Sequence, residues 1–177
     1  MNIKNLFYRN RNLIIQPFEA WDEIEDEGAS RNQVVMSYLL PMSLVVGICS
    51  LFGTLFFSNI EDSLSVGYVV FDGIISFLII FLEVYISCWL ITEVAISFGD
   101  SNNSAAIFNL VIYSHAPFFF ILSITKLFPP LFFMMILGAY SFYIFFFFLR
   151  NLVEIQDNKK LVFLLLSSLV MILLFFF

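Results

Sequence analysis

Charged positions are so sparse along this chain that the gaps between them carry the first signal. Asn32–Ile60 runs for 29 residues without a charge. Between Asp100 and Lys126 lie 25 residues, between Lys126 and Arg150 lie 23, and 17 follow Lys160. A lipid core about 30 Å thick needs roughly 20 apolar residues in a helix. Each gap therefore predicts a spanning helix, the last at the lower limit of length. A further stretch, Gly67–Gly99, is apolar in bulk but carries Asp72, Glu83 and Glu93. As a helix it would reach about 50 Å, more than the lipid core requires. It must tilt, or project into water around Glu93. The pattern predicts an all-α polytopic integral membrane bundle of five transmembrane helices. They fall near 34–58, 67–97, 105–125, 130–149 and 161–177, after a segment 1–33 that stays outside the lipid core.

Within that leading segment, Pro17–Gly28 has a different periodicity. Phe18, Trp21 and Ile24 recur every three residues, and acids fill the positions between them. This predicts a short amphipathic helix with proline in its first turn and glycine at its end. Its apolar stripe either packs on the protein's own loops or offers Phe18, Trp21 and Ile24 to a partner. The preceding stretch mixes Leu6, Phe7, Leu13 and Ile14 with Lys4, Arg9 and Arg11, a pattern suited to lipid head groups.

Composition sharpens the class. Hydrophobic residues make up 61% of 177 and charged residues 12%, against about 45–50% and about 25% in an ordinary soluble domain. A globule this small could not hide so much apolar surface from water. The net charge of −6 argues against nucleic acid, which calls for a basic face. Cys49 and Cys88 both lie in apolar runs and read as small buried hydrophobes. No cleavable signal peptide, phosphate-binding glycine loop or metal-ligand spacing is visible, so no cofactor is expected.

Basic residues set the orientation. With five spans, one side holds Lys4, Arg9, Arg11, Arg31, Arg150, Lys159 and Lys160, and the other only Lys126. The amino terminus is expected in the cytoplasm and the carboxyl terminus in the periplasm, across a bacterial inner membrane. Glu61 and Asp62 then fall in a short external loop.

Intramembrane chemistry concentrates in the second span. Asp72 and Glu83 are 11 residues apart, about 20° on a helical wheel, with Ser76 and Ser87 within about 60° of Asp72. These four predict one polar stripe facing the bundle interior. Such a stripe serves either as glue between helices or as the lining of an ion or proton path. His115, the one histidine, falls at a similar depth in the third span, so contact between Glu83 and His115 is expected. Pro117 is expected to kink that span by releasing a carbonyl near Tyr113. Phe145–Phe148 reads as a lipid face.

Several of these residues, taken in order, resemble a known family. Pro17, Trp21 and Ile24, then Tyr38 and Pro41 opening the first span, look like the start of bacterial Yip-domain proteins. These are relatives of the eukaryotic Ypt/Rab-interacting membrane proteins. The likeness continues through Phe98-Gly99, then Tyr113-Ser114-His115-Ala116-Pro117, Pro129-Pro130 and the run Gly138, Tyr140, Tyr143. It implies a five-span bundle with a cytoplasmic amino terminus. Asp100 stands where bacterial members often have a second glycine, and the aspartate- and tyrosine-rich eukaryotic motif is missing, so Rab binding is not implied. The leading expectation is a non-enzymatic assembly, scaffold or accessory subunit of an inner-membrane complex, its partners being lipid and other membrane proteins. The alternative is a small transporter or channel-like protein using Asp72, Glu83 and His115.

Overall fold

A computed structural model describes residues 3–57, 66–100, 103–153, 155 and 157–175. The loop with Glu61 and Asp62 and the chain end at Phe177 lie outside the described residues. Everything described is helix or short connection. α1 (Ile3–Ile15) leads into α2 (Pro17–Glu27), which starts on proline and closes on Gly28 at φ +53°. Only glycine takes that left-handed turn at little cost.

The first span enters through α3 (Arg31–Val34), started by a capping box. Ser30 Oγ accepts from the Gln33 backbone N–H, and Gln33 Oε1 accepts from that of Ser30 at 3.0 Å. A widened π turn over Val35–Leu39 precedes α4 (Leu40–Phe57). Its cause is Pro41, which lacks an N–H and crowds the carbonyl four residues back. α5 (Val66–Ser97) is continuous for 32 residues. It ends in a Schellman turn, with Gly99 N–H on Ile96 O and Asp100 N–H on Ala95 O, both at 3.0 Å, and Gly99 at φ +99°.

The third span is broken into α6 (Ser104–Ser114) and α7 (Ala116–Leu127) at His115. The kink expected at Pro117 thus falls two residues earlier, where the helix is prepared for a proline in its next first turn. Phe118 N–H, freed by the break, donates to Ser141 Oγ of the neighbouring span at 3.1 Å. A side chain from another helix replaces the lost bond, as the absence of water in lipid demands. After Pro129-Pro130 the chain runs as a 3-10 helix over Pro129–Ala139, then as α8 (Tyr140–Leu152). The last helix, α9, spans Asp157–Phe175.

Among the described residues, four stretches are long and apolar enough to cross a membrane. They are Arg31–Phe57, Val66–Ser97, Ser104–Leu127 and Pro129–Leu152. Their burial differs sharply. The α6–α7 stretch is 78% buried, against 33% for α5 and 28% for the stretch ending in α8. The broken third span is therefore the axis of the bundle, and the others wrap it. Phe145–Phe148 is split by the helical turn and is not a lipid face throughout. Phe145 and Phe148 are buried and Phe146 is exposed.

Candidate functional site

Two polar centres lie at opposite ends of the bundle, and each ties together segments distant in sequence. The first forms where α4 crosses α5. Gly47 and Gly73 set the approach, since a Cβ on Gly47 would fall 2.8 Å from the Gly73 carbonyl oxygen. Likewise a Cβ on Gly53 would overlap the carbonyl oxygen of Lys126, at the end of α7. Small residues let helices pack backbone to backbone in lipid. They also bring short polar side chains within reach. Asp72 Oδ2 accepts from Ser50 Oγ and from Thr54 Oγ1, each at 2.7 Å. Ser50 and Ser76 hydroxyls lie 2.9 Å apart, and Lys126 Nζ donates to Ser76 Oγ at 3.3 Å.

The proton directions follow from the donor inventory. A serine has one O–H, and that of Ser50 is committed to Asp72. Ser76 must then donate to Ser50, and Lys126, which only donates, supplies Ser76. The chain of donors runs from ammonium to carboxylate through two hydroxyls across three helices.

The second centre lies where α1 and α2 fold onto the spans. Arg9 donates to Tyr113 Oη at 3.0 Å and pairs with Glu27, its guanidinium 5.7 Å from the Tyr113 ring centre. Partial burial lowers the pKa of this guanidinium. The bond to Glu27 and the field of Tyr113 and Glu27 outweigh that, and the pKa ends above its ordinary value, so Arg9 stays charged. Beside it, Tyr38 Oη donates to Asn10 Oδ1 at 2.8 Å, and the Tyr38 and Tyr113 rings sit 4.8 Å apart. Asn109 Nδ2 holds the connection after α2 by donating to Ala29 O at 2.8 Å. On its other side α2 lies against α8, with Trp21 5.3 Å from Phe148 and Phe18 4.9 Å from Phe147. Trp21 and Ile24 are buried there, while Phe18 stays half exposed.

The structure distributes the expected stripe of the second span among different neighbours. Asp72 and Ser76 belong to the first centre. Ser87 is buried and donates to the carbonyl of Glu83 at 2.9 Å. Glu83 Oε1 is buried without a hydrogen-bond partner. His115 turns Nδ1 to Val111 O at 2.6 Å, so Nδ1 carries the proton, and its ring rests near Phe118 and Phe119. Among the described residues no hydrogen bond or ion pair joins Glu83 to His115. The break in the third span explains this, because it leaves carbonyls of the same turn as the nearest acceptors. Ser50, Thr54 and Glu27 were not singled out in the sequence, and Arg9 and Lys126 were read there only as head-group and sidedness charges, yet all five carry the two centres. The spacing Gly47, Ser50, Gly53 was the available signal for the first.

A Yip1-domain family model matches residues 11–177. The chain belongs to the Yip1-domain family. No curated protein and no solved structure matches it significantly. The positions that carried the resemblance take defined places in this Yip1-domain protein. The Tyr38 and Tyr113 rings pack at a tilt in the second centre. Pro17 and Trp21 are buried in α2. Pro41 follows the π turn, Gly99 closes α5, and Ser114 and Pro117 flank the break at His115. Ser114 Oγ donates to Val111 O at 2.8 Å.

Proposed function

We propose that this Yip1-domain protein belongs to the bacterial branch and is a non-enzymatic assembly, scaffold or accessory subunit of a larger inner-membrane complex. In this reading α9 is the fifth span, the amino terminus is cytoplasmic and the carboxyl terminus periplasmic. The observation that carries it is the closure of the intramembrane polar groups on one another. The Lys126-to-Asp72 chain runs through buried Ser76 and Ser50 and closes on the protein's own helices, and His115 is spent on its own helix. Groups so engaged hold helices together rather than pass an ion along. The seven-to-one distribution of basic residues supports the sidedness.

Native purification after mild crosslinking tests the reading, with a stoichiometric membrane-protein partner as the expected result. Proton or cation flux in liposomes containing this protein alone would overturn it. One observation favours transport as a second reading, namely the buried, unpartnered Oε1 of Glu83. Under transport, Glu83→Gln abolishes flux with stability unchanged.

A further inference from the structure

A cleft of about 930 Å³ opens between α1, α2 and the entry to the first span. Its walls include Tyr8, Arg9, Glu23, Glu27, Gln33 and Met36. Its height relative to lipid follows from lengths. α4 has 18 residues, about 27 Å, close to the thickness of a hydrocarbon core. Met36 and Ser37 lie in the π turn before α4 and line the cleft, as does Tyr113, whose ring sits 4.8 Å from that of Tyr38. The cleft therefore stands at the level of the cytoplasmic lipid head groups. Met36, 69% exposed, points the apolar edge of the cleft outward to the hydrocarbon.

The lining has one guanidinium against two carboxylates. Arg9 is held rigid by Tyr113 and Glu27, and these bonds engage two of its five N–H donors. The remaining donors suit a phosphate oxygen. Glu23 and Glu27 suit a primary ammonium a few bonds away. We infer that this cleft seats the head group of an amine-bearing zwitterionic phospholipid, phosphate on Arg9 and ammonium on Glu23 and Glu27. Anionic lipid fits worse. It would meet a lining in which Glu23 and Glu27 outnumber Arg9. A choline head group fits worse because its methylated nitrogen has no N–H for the carboxylates. The inference rests on insertion of the chain in a membrane and is independent of any accessory role.

The test uses the full-length protein in nanodiscs made with phosphatidylglycerol and either phosphatidylethanolamine or phosphatidylcholine. Lipid retained after transfer to detergent is counted by native mass spectrometry. The expected result is preferential retention of phosphatidylethanolamine over both others. Glu23→Gln, which leaves the Arg9–Glu27 pair in place, should cut that preference roughly two- to fivefold, the loss of one partly exposed charge contact. Equal retention of phosphatidylglycerol, or a preference unchanged in both Glu23→Gln and the Glu23→Gln/Glu27→Gln double variant, would overturn the assignment. Displacement of the lipid by free phosphoethanolamine at millimolar concentration would also overturn it, pointing to a soluble ligand instead.

Discussion

The two polar centres solve one problem in opposite ways. At the α1–α2 end, Arg9 and Glu27 meet directly, at a place where water still reaches the carboxylate. At the α4–α5–α7 end, Lys126 and Asp72 are linked through Ser76 and Ser50 without direct contact between the charges. The difference tracks the solvent. An ion pair near water costs little to form and contributes little. A charge in lipid must have its hydrogen bonds supplied by the protein, and hydroxyls from neighbouring helices supply them at about 0.6 kcal/mol each. At the α4–α5–α7 end close backbone packing at Gly47, Gly53 and Gly73 accompanies the polar chain, which selects its register.

The largest effect is expected at Gly53. Gly53→Leu puts a side chain into the Lys126 backbone, and relief requires α4 and α7 to separate. Loss of about 3 kcal/mol or more, or failure to fold, is expected and is measured by thermal unfolding in detergent. Trp21→Glu comes next. It places a charge against Phe148 and should detach α2, at a cost of about 3 kcal/mol to that local contact. Limited proteolysis near residues 17–28 should become rapid while the spans stay protected. Unchanged cleavage would mean that α2 is anchored by something other than its aromatic face.

Asp72 sharpens the contrast further. Asp72→Leu removes the acceptor of two hydroxyls and the end of the chain from Lys126, and should cost about 2–3 kcal/mol. Asp72→Asn keeps an acceptor and should recover more than half of that. Equal losses in the two variants would show that the negative charge, rather than the hydrogen bonds, is what matters there. The smallest effect belongs to the Arg9–Glu27 pair. Glu27→Gln should cost at most about 1 kcal/mol, and the difference should vanish in molar salt. The loss in Asp72→Leu should persist in the same salt, because it is mainly lost hydrogen bonding around the buried Ser50 and Ser76 hydroxyls, which ions do not screen. If both respond alike to salt, the two centres are equally wet and the contrast drawn between them fails.

Period and spacing sufficed for much of this architecture. Three uncharged gaps and the apolar stretch Gly67–Gly99 fall on the four helices long and apolar enough to cross a membrane, because lipid tolerates so few charges. Pro17 with Gly28, and Phe98-Gly99, marked helix ends through backbone rules that need no tertiary partner. The order of weak motifs through Tyr38, Tyr113 and Pro117 pointed to the family that the match over residues 11–177 established.

Which span is central, and which polar groups meet, was decided only in three dimensions. Apart from the polar stripe of the second span, the spans are apolar on every side, so their sequences do not say which is most buried, and the 78% burial in the α6–α7 stretch arises from how the others wrap it. Asp72 and Glu83 share a stripe on the helical wheel, yet one finds Ser50 and Thr54 while the other keeps a buried oxygen without a partner. The reason is that glycines at 47, 53 and 73 bring particular backbones together at one height only. A wheel gives the direction of a side chain, and the depth at which a neighbouring helix comes close enough to bond it is a property of the packed bundle.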